Sequence, residues 1–274
     1  MKRTKLIAAL ALATIMSGCV VIASSPSRAD FHIQKELSLD ANSLTALDIE
    51  TGSGSLEVIG KSGLTEIQVT ADIYMDKKYT DNYELTLNEL GHTGVFVAKN
   101  NSTSGFWVGS SPRIDVVIHV PEGMSLDIND GSGDTEISNI NAQLDIKDGS
   151  GSLVINNIIG DTNINDGSGD LEVSYIDGNV NIVDGSGEMN INEVKGNLNI
   201  DDGSGAIYAK NINGSAEIED GSGDLTVKQV TGVVTVDDGS GSITIKDTGG
   251  LKILDSGSGG LNVSNVKGDY SIDS

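Results

Sequence analysis

The sequence predicts an all-β chain: a single-stranded parallel β-helix, or solenoid, of 18 residues per coil, with an irregular β region capping its N-terminal end. Three observations carry this expectation. Asp-Gly-Ser-Gly returns with its first glycine at Gly131, Gly149, Gly167, Gly185, Gly203, Gly221 and Gly239, each step 18 residues, and a fixed period of that length marks a solenoid. Apolar residues keep fixed offsets around each copy, as in Met189, Ile191, Val194, Leu198, Ile200 and again in Leu225, Val227, Val230, Val234, Val236. Within a unit, Met189/Ile191 and Leu198/Ile200 are each spaced by two, the period of a strand with one face inward.

One coil therefore reads as two short strands joined by two tight corners. The first corner is Asp-Gly-Ser-Gly. The second carries one inward aliphatic plug followed two residues later by glycine, as in Val194/Gly196 or Val230/Gly232. Glycine at both corners is expected to supply positive φ. Five buried aliphatics contribute about 1.5–3 kcal/mol each, whereas fixing each backbone unit costs about 1–2 kcal/mol. A lone coil cannot fold; a stack can, because neighbours add inter-coil hydrogen bonds and close the core. Parallel crossovers are right-handed in the large majority of folds, so a right-handed solenoid is expected.

Residues 1–18 read as a signal peptide: Lys2-Arg3 and Lys5, an apolar run from Leu6 to Met16, then Ser17-Gly18 before Cys19. The run is too short to span a bilayer. Met16-Ser17-Gly18-Cys19 resembles a bacterial lipobox, which implies lipidation of Cys19 and a membrane anchor; an ordinary secretory signal with an incidental cysteine is the alternative. Val20, rather than aspartate, after the cysteine implies sorting to the outer membrane of the cell envelope. Cys19 is the single cysteine, so disulfides are unavailable and extracytoplasmic stability must come from packing.

Residues 19–30 read as a tether, 31–125 as the β capping region and 126–274 as the regular array. In the capping region strands alternate without a period, and Leu47 to Val58 flank Gly52-Ser53-Gly54, a coil corner with Thr51 in the aspartate slot. Phe106 and Trp107 stand in an irregular stretch from Lys99 to Arg113. Near the other end Thr248 takes the plug position, Lys252 falls in an inward slot and Leu251 and Ile253 are out of phase, which suggests a one-residue bulge. No C-terminal cap is visible, so weak end-to-end self-association through an open edge is expected.

The net charge of −23 becomes −26 once Lys2, Arg3 and Lys5 are removed, which argues against nucleic acid and against peripheral binding to anionic lipid. The sharpest candidate site is the aspartate column Asp130, Asp148, Asp166, Asp184, Asp202, Asp220 and Asp238. At a strand spacing of about 4.8 Å, neighbouring charges would repel by about 0.9 kcal/mol in water and about 3.5 kcal/mol at an effective dielectric of 20. Each carboxylate is expected to cap the N–H groups of its own Gly-Ser-Gly turn. The alternative is a column of calcium sites. Against it, the slot after the second glycine reads Asp134, Ser152, Asp170, Glu188, Ala206, Asp224, Ser242, Gly260, so the second acid that calcium β-rolls require is irregular.

Asn163, Asn181 and Asn199 share an outward slot and are expected to hydrogen-bond along the stack. His32, His92 and His119 have no ligand or triad spacing. Gly-Ser-Gly is followed neither by a phosphate-loop Lys-Ser/Thr nor by a helix, and does not match a Gly-x-Ser-x-Gly elbow. No catalytic residue, cofactor or metal is expected, calcium apart.

The Leu47–Gly60 turn, the Ile114–Pro121 strand ending on proline, and the repeated Gly-Ser-Gly-x-Leu-x-Val units resemble the bacterial putative-adhesin domains of unknown function, relatives of autotransporter-adhesin head domains. The resemblance covers roughly Leu37 to Ser274. It implies a β-solenoid and an adhesion role, and supplies no catalytic residues. The expected function is a lipid-anchored, non-catalytic adhesion, binding or structural module with an unknown protein or glycan ligand. A calcium-responsive module comes second and a carbohydrate-active β-helix enzyme third.

Overall fold

The computed structural model describes residue 29 and residues 31–101 and 111–273. The signal and Cys19, almost all of the tether, and Phe106 and Trp107 lie outside the described residues.

Among the described residues the chain is all-β apart from one 3-10 turn at Lys77–Tyr79. Its first strands are β1 (Phe31–Asp40), β2 (Ala46–Thr51), β3 (Leu56–Lys61), β4 (Glu66–Met75), β5 (Tyr83–Leu90), β6 (Thr93–Asn100) and β7 (Arg113–Pro121). The array then runs through β8 (Ser125–Asp130), β9 (Thr135–Ile140), β10 (Leu144–Asp148), β11 (Leu153–Ile159), β12 (Thr162–Asp166), β13 (Leu171–Asp177), β14 (Val180–Asp184) and β15 (Met189–Val194). It continues with β16 (Leu198–Asp202), β17 (Ile207–Ile212), β18 (Ala216–Asp220), β19 (Leu225–Asp238), β20 (Ile243–Asp255), β21 (Leu261–Val266) and β22 (Tyr270–Ile272). Among the described residues no helix is long and apolar enough to cross a membrane.

Each strand of the array lies parallel to, and in register with, the strand one coil away. Leu144 pairs with Leu126 and Thr162, and Ile155 with Ile137 and Val173. Stacking like on like lets every coil add the same aliphatic layer. Leu153, Ile155 and Ile158 are fully buried, as are Leu225, Val227 and Val234 in a later coil. The plug is real: Val194 has no exposed surface.

The first coil of the stack lies within the region read as a cap. β2 pairs with β8 and β3 with β9, so Leu47 sits beside Leu126 and Val58 beside Ile137. The described strands between β3 and β8 form an excursion to the outer side of that coil. There β6 and β7 extend the two parallel walls, and β5, β4 and β1 add antiparallel strands beyond them. This closes the end of the core: Ile67, Ile73, Phe96 and Ile118 are fully buried.

The corners differ from expectation in one respect. In Gly-Ser-Gly the second glycine takes positive φ, as Gly205 does at 153°, except in the last such corner, where the first, Gly257, does at 53°. At the second corner the residue that is left-handed in every coil is the one just before the plug: Asn139, Asn157, Tyr175, Glu193, Asn211, Gln229, Asp247 and Asn265, with φ between 56° and 62°; of the corner glycines Gly160 also has positive φ, at 156°. Asn, Asp and their like tolerate this conformation best. Gly196 is needed for another reason: a Cβ there would overlap the Gly178 carbonyl oxygen of the coil below.

The imperfect coil is also explained. Val230 pairs with Thr248, but Val234 pairs with Leu251, one residue short, and register returns at Asp237 with Asp255. The corner Thr248-Gly249-Gly250 drops a residue, and the strand regains it at Leu254, which is pushed outward. Lys252 is thereby not in an inward slot: it is exposed, while Leu251 and Ile253 are buried. The sequence assigned it inward by counting a strict 18, and the deletion shifts that count by one.

Candidate functional site: an inward carboxyl column and an outward groove

The seven column aspartates close the strands β8, β10, β12, β14, β16, β18 and β19, and all seven point inward. Asp130, Asp148, Asp166, Asp184, Asp202, Asp220 and Asp238 are at most 3% exposed. Strand pairing places each above the last, Asp148 on Asp130 and Asp166, Asp202 on Asp184 and Asp220. Alternation dictates this: Leu198, Ile200 and Asp202 occupy every second position of one strand and so share its inner face.

Turn amides satisfy the column unevenly. Asp166 accepts the Ser168 N–H at 3.2 Å and Asp202 that of Ser204 at 3.1 Å. Both carboxyl oxygens of Asp148, Asp184, Asp220 and Asp238 are buried with no hydrogen-bond partner. The amides of Ser186 and Gly185 lie near enough to Asp184 to favour its charge without completing a bond. At the first-coil end the Thr51 hydroxyl donates to Asp130, and Thr135 donates to its other oxygen at 3.3 Å.

Burial first, and neighbouring aspartates second, push four of these carboxyls well up. Asp148 rises to about 7, and Asp184, Asp202 and Asp220 to about 6. Asp166 and Asp238 are raised as well, chiefly by burial. A buried carboxyl beside another can relieve both costs by keeping its proton, donating it to the neighbour's oxygen.

The second acid slot faces the other way. Asp134, Asp170 and Asp224 are exposed and accept the backbone N–H of Ser152, Glu188 and Ser242 in the next coil, at 3.0–3.3 Å. The two sets of carboxylates stand on opposite sides of the corner. Among the described residues no three His, Cys, Asp or Glu side chains converge as a metal site would need. Two of the three outward asparagines bond along the stack, Asn181 Nδ2 donating to Asn163 Oδ1 at 2.8 Å and Asn163 to Asp145 at 2.7 Å.

Two arrangements escape a reading by sequence spacing. The β1–β4 register brings His32 onto Tyr74, with ring centroids 4.6 Å apart, and its Nε2 to 2.7 Å from Asp72. Arg113 lies over the other side of Tyr74, 3.9 Å from its centroid, and pairs with Asp115 at 3.0 Å. The second is an open groove of about 580 Å³ on the outer face of β11, β13, β15, β17 and β19, where Tyr208, Lys210 and Lys228 meet Tyr175, Asn190 and Asn192. Its signal was available: the slot holding Asn156, Ser174 and Asn192 turns to Lys210, Lys228 and Lys246 in three successive coils.

Residues 44–273 match the model of the family described as Toastrack DUF4097. Among solved structures, the chain is similar to one described as a putative lipid binding protein from Parabacteroides distasonis, at 18% identity and TM-score 0.52, covering 89% of this chain and 98% of that one. It also matches a putative adhesin from Bacteroides fragilis (15% identity, TM-score 0.45, 89% and 98% covered) and a putative cell adhesion protein from Clostridium sporogenes (14%, 0.40, 88% and 100%). The likeness to the first is one of fold. A comparison with curated proteins finds no match.

Proposed function

Since the chain belongs to the Toastrack DUF4097 family, we propose that it is a non-catalytic binding module of the cell envelope, held at a membrane by lipid on Cys19 and presenting the outer wall of its solenoid to a ligand. The observation that carries this reading is the groove wall. Its floor is parallel strands locked in register by the coils on either side, and its side chains stand on that floor rather than on loops. Such a surface is preorganised, and binding to it orders little that is not already ordered. Tyr175 and Tyr208 offer large exposed rings on this wall, 59% and 42% accessible.

Anchoring rests on the signal and lipobox pattern that ends at Cys19. Acylation there would tether the array to a membrane, and the outer membrane is the proposed site. Leu261, Tyr270 and Ile272, exposed in the last described coil, are the surface through which weak end-to-end association would occur. The second reading, a calcium-responsive module, draws on the unpartnered carboxyl oxygens of Asp148, Asp184, Asp220 and Asp238.

The test places a photo-cross-linking residue at Tyr208 on the groove wall, or at Ser204 on the corner, in cells that carry the lipidated chain. The binding reading expects a discrete adduct from the wall position and none from the corner. Equal labelling from both positions, or none from either, contradicts it. Cys19→Ser should release the protein from the membrane fraction; retention of the variant there would remove the anchor from the proposal.

A further inference from the structure

We propose that the groove at Tyr175, Tyr208, Lys210 and Lys228 binds an acidic saccharide, with the two lysines taking a sugar carboxylate and the two tyrosines covering sugar rings. This rests on the binding-module reading and names the class of ligand.

The lysines are the first argument. The chain carries 40 acidic and 17 basic residues, yet Lys210, Lys228 and Lys246 stack in one outward column, in direct register. Like charges on neighbouring strands, about 4.8 Å apart, oppose folding. Among the described residues neither Lys210 nor Lys228 has a carboxylate within ion-pair distance, and Lys246 reaches Asp247 only at 3.9 Å. In so acidic a chain, cations gathered and left unpaired form a local site for an anion.

Tyr175 is the second. It occupies the left-handed corner position at φ 58°, where all seven of the other coils place Asn, Asp, Gln or Glu and Tyr175 is the one aromatic residue. A bulky side chain is disfavoured there, and such strain concentrates at binding sites. The ring is not held in the core: it is 59% exposed, at the rim of the groove.

The third is the order of chemistry along the floor. One outward slot reads Glu172, Asn190, Tyr208 and Thr226 in successive coils, and the slot beside it reads Ser174, Asn192, Lys210 and Lys228. Tyr208 therefore stands beside the cations, with amides on one side of it and a lone carboxylate, Glu172, two coils away. Aromatic faces, amides and a cation pair in one shallow groove suit a polyhydroxylated ring that bears a carboxylate. A simple anion would have no use for the tyrosines, and a neutral sugar none for the lysines.

The experiment titrates the purified chain from residue 31 onward, the whole β array, with trigalacturonate, with neutral galactotriose and with acetate, by calorimetry at low and moderate salt. The inference expects saturable binding of trigalacturonate alone, weakened by salt. Lys210→Ala with Lys228→Ala should lower affinity at least tenfold without lowering the melting temperature. Tyr175→Asn should raise the melting temperature by relieving the backbone and still lower affinity at least threefold. No binding of trigalacturonate, equal binding of galactotriose, competition by equimolar acetate, or affinity unmoved by the lysine or tyrosine changes would each overturn it. Failure here, with the wall cross-link at Tyr208 intact in cells, leaves the binding module standing and removes only the acidic saccharide.

Discussion

The Thr51 hydroxyl donates a hydrogen bond to the Asp130 carboxylate, and in doing so ends a column of buried carboxyl groups with an uncharged residue. Thr51 lies in the first coil, in the slot that aspartate fills in the next seven. It gives Asp130 a donor where another aspartate would give it a like charge. Thr51→Asp should therefore destabilise the chain at pH 8, within the range of about 1–3.5 kcal/mol that two charges 4.8 Å apart span between water and a half-polar medium. Chemical denaturation of the parent and the variant at pH 8 would read the difference.

The raised members of the column should make stability depend on pH. The folded-state values of Asp148, Asp184, Asp202 and Asp220 lie at about 6 to 7, above the 3.8 of an ordinary aspartate. Between these limits the folded chain holds more protons than the unfolded one, so stability falls as pH rises. The contribution is complete below about 3.8 and lost as pH passes through about 6 to 7. The melting temperature at pH 5 should exceed that at pH 8 by at least about 4 °C. Asp184→Asn, Asp202→Asn and Asp220→Asn combined should flatten this difference, and an undiminished slope in the triple variant would assign it to surface acids instead.

Asp202→Asn alone distinguishes capping from calcium. Asparagine can keep the bond from the Ser204 N–H, and its amide can donate to the unpartnered oxygens of Asp184 or Asp220. Stability should change by less than about 1 kcal/mol at pH 5 and rise at pH 8. The parent should melt at the same temperature with or without millimolar calcium. A steep rise with calcium but not magnesium, lost in the variant, would favour the cation column through mass action.

Corner geometry makes two glycines unequal. Gly205→Ala forces a side chain into φ 153° and onto the Gly187 carbonyl oxygen, and should cost at least about 2 kcal/mol. Gly123→Ala meets no atom within 4 Å and no positive φ, so it should leave thermal unfolding unchanged.

The plug is equally sharp. Val194→Asp places an unpaired charge where no surface is exposed and should cost more than about 3 kcal/mol. Because coils share one core, the circular dichroism signal should fall by far more than one coil's share.

The period, the inward aliphatics and the aspartate column were legible in the sequence because each repeats at 18, and stacking turns repetition into contact. What escaped was whatever breaks the period or joins distant stretches. The coil at Leu47–Val58 stacks on Leu126–Ile137 although an excursion of some sixty residues separates them, and only pairing reveals it. His32 meets Asp72 through an antiparallel register that no spacing predicts. Lys252 was misplaced by a single deleted residue. The inward aim of the aspartates could have been read from Leu198, Ile200 and Asp202, since alternate positions share a face. The lysine column was visible too, but hidden among mixed outward slots.

The most direct test of the buried column is a carbon-13 NMR titration of the chain labelled at its aspartate carboxyl carbons. A subset of resonances, removed one at a time by Asp184→Asn, Asp202→Asn and Asp220→Asn, should titrate with midpoints near 6. If every aspartate titrates near the ordinary 3.8, these side chains are solvated and charged, and the inward column is wrong.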